Sequence, residues 1–242
     1  MDGNIFNHVG NRVSISNLIA SQIEEAILNK TFQPGSKLPS ELELCRQFGV
    51  SRTSVREALQ ILSAYRLINV EKGKGIFVNS FTSESVSNPM QKYLKLNLDR
   101  NYILDLIHAR RILEPAIARE ASLNHTEEDI NQLEEDINAL VECKSGYDEL
   151  AEWDMAFHLD LARATRNVVI PLLLAPIHNL MPKLKSTVYA TISEAKESAV
   201  LWHTKIFEAV KERNSNKAYK AMVEHLKIAE QHAEKVFKSK SN

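Results

Sequence analysis

Six of the seven glycines lie before residue 76, and this lopsided placement constrains the fold more than any other feature of the chain. Glycine enters left-handed turns that other residues resist, so the first third suits short elements and tight turns. The remainder suits long helices. Within the first third, Ile15, Leu18, Ile19, Ile23 and Ile27 recur at helical spacing and predict an amphipathic helix that Pro34 and Gly35 end. Ser40-Glu41-Leu42-Glu43 forms a capping box, in which Ser40 and Glu43 each satisfy a backbone donor of the other. Leu42, Cys45 and Phe48 supply the apolar stripe of the helix it opens, and Gly49 stops that helix. Ser51 caps a third helix with Val55, Ala58, Leu59 and Leu62 inward. Two β-rich runs at residues 67–71 and 76–79 flank Lys72-Gly73-Lys74-Gly75 and read as a hairpin.

Three short helices followed by a basic hairpin predict a winged helix-turn-helix over residues 1–80. Net charge is only −1, but residues 46–74 carry six Lys/Arg against two Asp/Glu, concentrating positive charge as a DNA-facing surface requires. With the apolar face of the third helix inward, Arg52, Thr53, Arg56 and Gln60 face outward. Arg52 and Arg56 stand four residues apart and share a side; their planar forks match guanine edges or phosphate oxygens. Ser51, Thr53 and Ser54 lie where a helix N-terminus meets phosphate. Lys72 and Lys74 sit in a tip slim enough to approach a groove.

The runs Pro34-Gly35, Lys37-Leu38-Pro39-Ser40-Glu41, Gly49 to Leu59 and Gly73-x-Gly75-x-Phe77-Val78 resemble the DNA-binding domain of the GntR family. That resemblance implies operator contacts from Ser51, Arg52, Thr53, Ser54 and Arg56, and a wing tip at Lys72 and Gly73 in the minor groove, with Lys74 beside it expected to contact DNA as well. Family members often have glycine after the reading helix. Arg66 stands there in this chain, so its helix end is expected to be capped differently. A homodimer on an inverted repeat is also expected, since one reading helix contacts too few bases for useful specificity.

Residues 81–88 are rich in Ser, Thr and Asn and read as a linker, residues 89–238 as an all-helical domain, and 239–242 as a tail. Helical periodicity places helices at 88–97, 100–123, 126–143, 146–165, 167–190, 192–213 and 215–238. Pro171 fits a first turn, whereas Pro115, Pro176 and Pro182 should kink or interrupt their helices. The fold class is thus mainly α, a winged helix-turn-helix joined to an antiparallel bundle of six to seven helices. An apolar content of 44% excludes wholesale disorder. Cys45 and Cys143, with no metal-like spacing, suit a reducing cytoplasm. No apolar segment suits secretion or membrane spanning.

Asp154 and His158 stand at i and i+4 on one helix face, with His203 and His225 on two later helices. Imidazole and carboxylate together suit Zn²⁺, Ni²⁺ or a similar divalent ion. His8, His108, His125, His178 and His232 read as ordinary core or surface residues, although His108 could line a pocket. Asp154-x-x-Phe157-His158, Trp202-His203-x-x-Ile206 and Ala221-Met222-x-x-His225-Leu226, together with Arg110-x-x-Leu113-Glu114, resemble the FCD effector domain of the FadR subfamily. The resemblance implies a divalent metal, zinc first, on Asp154, His158, His203 and His225, and a small organic or sugar acid as effector. Arg110 is expected either to hold a second group of that acid or to form a surface ion pair with Glu114. Leu94, Leu96 and Leu98 favour a seventh helix at the domain junction. The expected function is a metabolite-responsive transcription regulator. A metal-dependent hydrolase would need a base and oxyanion donors, and a di-iron bundle paired Glu-x-x-His segments; neither motif is found. A constitutive DNA binder with a structural metal is the remaining alternative.

Overall fold

In the computed structural model, which describes residues 14–80, 83–97 and 102–239, Ser14 Oγ accepts from Asn17 N at 3.2 Å and opens α1 (Ile15–Leu28). Ile19, Ile23 and Ile27 are buried, whereas Ile15 and Leu18 remain exposed on the first turn. At α2 (Glu41–Phe48) both halves of the capping box form: Glu43 N donates to Ser40 Oγ at 3.3 Å and Ser40 N to Glu43 Oε2 at 2.8 Å. Leu44, not Leu42, reaches the core from this helix. Steps of three residues fall short of a full helical turn, so Leu42 has rotated well away from Phe48, while Leu44 stays on its face. Gly49 closes α2 at φ 65°.

α3 (Arg52–Ala64) buries Val55, Ala58, Leu59 and Leu62 as its period predicts. Its end differs from expectation. Arg66 itself takes φ 59°, and Leu67 N reaches Leu62 O at 2.9 Å, the same left-handed closure that glycine would make. Asn79 Nδ2 donates to the Arg66 carbonyl at 2.7 Å and ties that turn to the end of the hairpin. β1 (Ile68–Glu71) and β2 (Gly75–Val78) pair antiparallel, with Ile68 opposite Val78. Leu38 N donates to Ile76 O and Gly35 N to Val78 O, each at 2.8 Å, so the segment before α2 extends the hairpin edge.

The chain divides into two compact units, Met1–Thr82 and Ser83–Asn242. The second contains α4 (Ser83–Asn97), α5 (Tyr102–Asn124), α6 (Glu127–Glu142), α7 (Tyr147–Arg163), α8 (Val169–His178), α9 (Pro182–Thr191), α10 (Ala195–Lys211) and α11 (Ser215–Ser239). Residues 83–88, expected as linker, are helical. α4 packs on α8, Ser87 is buried and Gln91 Nε2 donates to Asn179 O at 3.0 Å, so tertiary contact overrides a polar composition. Leu94 packs against the core while Leu96 is exposed. The helix expected at 167–190 is two helices. Pro182 lacks the N–H that would continue α8 and starts α9 instead, after a turn at residues 179–181. α5 runs through Pro115 and α8 through Pro176 without a break, since each proline costs one backbone bond on a helix otherwise held by burial. His8, Leu98, residues 81 and 82 of the expected linker and residues 240–242 of the tail lie outside the described residues.

Phe157, Leu133, Leu161, Ile206 and Met222 fill the centre of the second unit. α11 lies against both α5 and α10, and α7 against both α6 and α9. Four of these helices, α5, α7, α10 and α11, converge on a polar interior. Among the described residues no helix is long and apolar enough to cross a membrane.

Candidate metal centre and nucleic-acid interface

On the first unit, Ser51 Oγ accepts from Ser54 N at 3.2 Å and fixes the start of α3. Arg52, Thr53 and Arg56 project outward from it, and Ser54 is half-buried. Arg56 Nε pairs with Glu41 Oε2 at 2.9 Å. An exposed pair of this kind adds little stability, but it steadies the guanidinium while leaving both terminal nitrogens open. Lys72, Gly73 and Lys74 form the exposed turn of the hairpin, where Gly73 takes φ 79°. Lys74 Nζ lies 3.1 Å from Glu71 Oε2.

In the second unit Asp154, His158, His203 and His225 come together, all buried, their ligand atoms within 4.8 Å of one another. α7 places Asp154 and His158 on one face, α10 supplies His203 and α11 supplies His225. His203 stacks on Phe157 with ring centroids 4.2 Å apart. His158 Nε2 lies 3.2 Å from His225 Nε2, and Asp154 Oδ1 lies 3.4 Å from both His158 Nε2 and His203 Nε2. Tetrahedral bonds of ~2.1 Å hold ligand atoms ~3.4 Å apart, so the spacing fits a small divalent ion. Asp154 Oδ1 and His203 Nε2 are buried without a hydrogen-bond partner. Buried polar atoms are rarely left so; these two face the same spot, where an ion bound by the cluster would satisfy both.

The carboxylate of Glu114 (α5) orients this set. His158 Nδ1 lies 2.6 Å from Glu114 Oε2, a close polar contact on the side of the ring away from the cluster, and Nε2 faces the cluster. His178 Nε2 contacts Glu114 Oε1 at 2.9 Å, and Arg110 Nε donates to Oε1 at 2.5 Å. Although burial opposes it, Arg110, His158 and His178 hold Glu114 well below the usual carboxylate range. Burial likewise opposes ionisation of Asp154, but the Lys185 ammonium at 2.5 Å keeps its carboxyl well below its ordinary value. Tyr189 OH donates to the same Oδ2 at 3.0 Å. Burial pushes His178 down to about 3 and His203 to about 4; burial and then the neighbouring imidazoles push His225 well down. Neutral imidazoles are the form that binds a metal.

Arg110, Asp154, Lys185, Tyr189 and His225 border a partly open pocket that Ser198, Glu230 and His232 also line, among apolar side chains. Arg110 does pair with Glu114, but both are buried, so the surface ion pair expected as one option is excluded. His125 is a satisfied core histidine with Nδ1 3.0 Å from Ala121 O, and His108 is exposed. His178 is no ordinary core residue; it belongs to the Glu114 cluster. Glu114, His178, Lys185 and Tyr189 were not among the expected site residues. For Glu114 a signal existed: Ile107, Arg110, Glu114, Ile117, Ala118 and Ala121 form one continuous helical stripe, which marks the charged pair as buried.

A capped helix with outward arginines, a basic hairpin, and a separate helical unit with a polar interior have the layout of a two-part transcription regulator. Residues 15–78 match the gntR family of bacterial regulatory proteins, and residues 105–227 match the FCD domain. The Uxu operon regulator of Haemophilus influenzae is 33% identical over 229 residues, 92% of this chain and 81% of that one. The galactonate operon transcriptional repressor of Escherichia coli is 25% identical, covering 84% of this chain and 90% of its own length. Among solved structures, Streptococcus agalactiae GntR superposes with a TM-score of 0.69 at 25% identity, over 87% of this chain and 96% of that one. The chain belongs to the GntR family of bacterial transcription regulators, in the group that carries an FCD domain.

Proposed function

We propose that the chain is a cytoplasmic, dimeric regulator that binds an inverted-repeat operator and releases or retains it according to a small carboxylate acid held at a divalent metal site. One observation carries this reading: the unpartnered Asp154 Oδ1 and His203 Nε2, with His158 and His225 Nε2, meet at the border of a cavity that Arg110 also lines. Zinc suits the donor set first and nickel second. When bound, the ion supplies an attachment point for a carboxylate oxygen. Arg110 supplies directional donors beside it. Its Nη2 now lies 3.3 Å from His158 Nε2, and spending that nitrogen on coordination would free an N–H for the acid. A relative whose name includes galactonate supports a sugar acid. On the operator side, Ser51, Arg52, Thr53, Ser54 and Arg56 would meet bases and phosphates, with Lys72, Gly73 and Lys74 at the wing.

An acid shifts DNA affinity only through unequal affinity for two arrangements of the dimer, so coupling is reciprocal and about 1–3 kcal/mol. The test is operator binding by fluorescence anisotropy, using zinc-loaded and chelator-stripped protein with and without sugar acids. Metal analysis should find about one equivalent per chain, lost in His203→Ala and His225→Ala. Operator affinity that no acid changes, with the metal retained, leaves a constitutive binder and ends this reading.

A further inference from the structure

Lys185 is a buried ammonium with three N–H donors and one partner, Asp154 Oδ2, among the described residues. It lines the same cavity as Arg110, whose Nη1 likewise makes no hydrogen bond among the described residues. Two cations, from α9 and α5, thus present unspent donors to one pocket; the carboxylate of Glu230, which also lines it, is paired with Arg111 at 2.8 Å. A buried cation with unfilled donors is costly unless an anion meets it.

The formal charges point the same way. Asp154 and Glu114 contribute two negative charges to the interior, and Arg110 and Lys185 two positive ones. The imidazoles serve as neutral ligands. A divalent ion on Asp154 and the three histidines leaves this buried region with an excess of two positive charges, and burying uncompensated charge is strongly unfavourable. One carboxylate cancels half of that excess. A second acidic group cancels the rest and has a waiting donor.

We infer that Lys185 selects an effector with a second acidic group, so that the ligand is a small dianionic acid rather than a monoanion; this rests on the acid-at-metal reading above. One acidic group belongs beside the metal and Arg110. The other takes the free N–H groups of Lys185, which keeps its contact to Asp154.

Galactonate and galactarate differ in this one respect, a terminal hydroxyl against a second carboxylate, and serve as probes. Calorimetric titration of zinc-loaded, full-length protein should show galactarate binding at least tenfold more tightly than galactonate. Lys185→Gln, which keeps a donor for Asp154 but no charge, should abolish that preference, both acids being titrated into protein that metal analysis shows to carry one equivalent of zinc. Lys185→Arg should restore it even if Lys185→Gln proves unstable. Equal binding of both acids by the parent protein, or a preference that survives in Lys185→Gln, overturns the inference and leaves the acid-at-metal reading standing. Binding of neither acid overturns the inference, since the dianion then gains nothing from Lys185, while the acid-at-metal reading is decided by the operator-binding test above.

Discussion

The two units put charge to work in opposite places. In the first, Arg52, Arg56, Lys72 and Lys74 stand in solvent on a scaffold whose core holds no buried charge among the described residues. In the second, Arg110, Glu114, Asp154 and Lys185 are buried among four imidazoles. Surface charges can be gained or lost with little effect on folding, so a DNA-reading face is free to change its specificity. Buried charges are bound into one network, in which each member's removal strands the others. The sensor is therefore also a structural element, and the reader is not.

That contrast can be broken by experiment. Replacing Glu114 with Ala leaves Arg110, His158 and His178 without their shared carboxylate and should cost roughly 3–5 kcal/mol in denaturant unfolding. A loss no larger than that of a surface substitution would erase the distinction between the units. Arg52→Ala and Arg56→Ala should instead unfold like the parent chain, yet lose about 1–3 kcal/mol on operator DNA. If both retain full affinity, the outward face of α3 does not read DNA.

Asp136 sharpens the comparison through pH. Burial, then repulsion from Asp160, raises its carboxyl from 3.8 to about 7. A raised carboxyl favours the protonated form in the fold, so its contribution is complete below pH 4 and is lost as pH rises through about 7. Asp136→Asn should accordingly add roughly 1–2 kcal/mol at pH 8 and little at pH 4, flattening the stability profile between them. An unchanged profile would show that Asp136 ionises freely. The smallest effect belongs to Arg66. Its φ of 59° strains an L-residue, so Arg66→Gly should stabilise the first unit by about 1 kcal/mol or less, read as a shift in the denaturant midpoint. Destabilisation would mean that the side chain packs more favourably than the turn is strained.

The same contrast governs what could be read from the chain. The reading helix, its caps and the hairpin were legible because each signal is local: Ser40 to Glu43, Ser51 to Ser54, Gly73 between two short strands. Leu44 escaped because a stripe taken in steps of three drifts off the helix face. Asp154 and His158 were visible as a pair on one helix, and family likeness joined His203 and His225 to them. Lys185 carried no such mark. Its approach to Asp154 depends on the turn at residues 179–181; Pro182 announced an interruption there, but not the direction in which α9 leaves it. His178 and Glu114 meet across 64 residues of chain, and no periodicity reports such a meeting.

α9 is a helix of only 10 residues, interrupted at both ends and tied inward through Lys185 and Tyr189 to a single carboxylate. Its inner face, Leu184, Lys185 and Tyr189, is buried, and α9 packs against α7, so any parting from the bundle would expose the three together. In hydrogen–deuterium exchange its amides would exchange together, at a rate set by how firmly Asp154 and the cavity hold it. A protease that clips only the opened segment would read the same quantity. Because Lys185 and Tyr189 also border the pocket, a ligand placed there should slow that exchange, and an empty pocket should not.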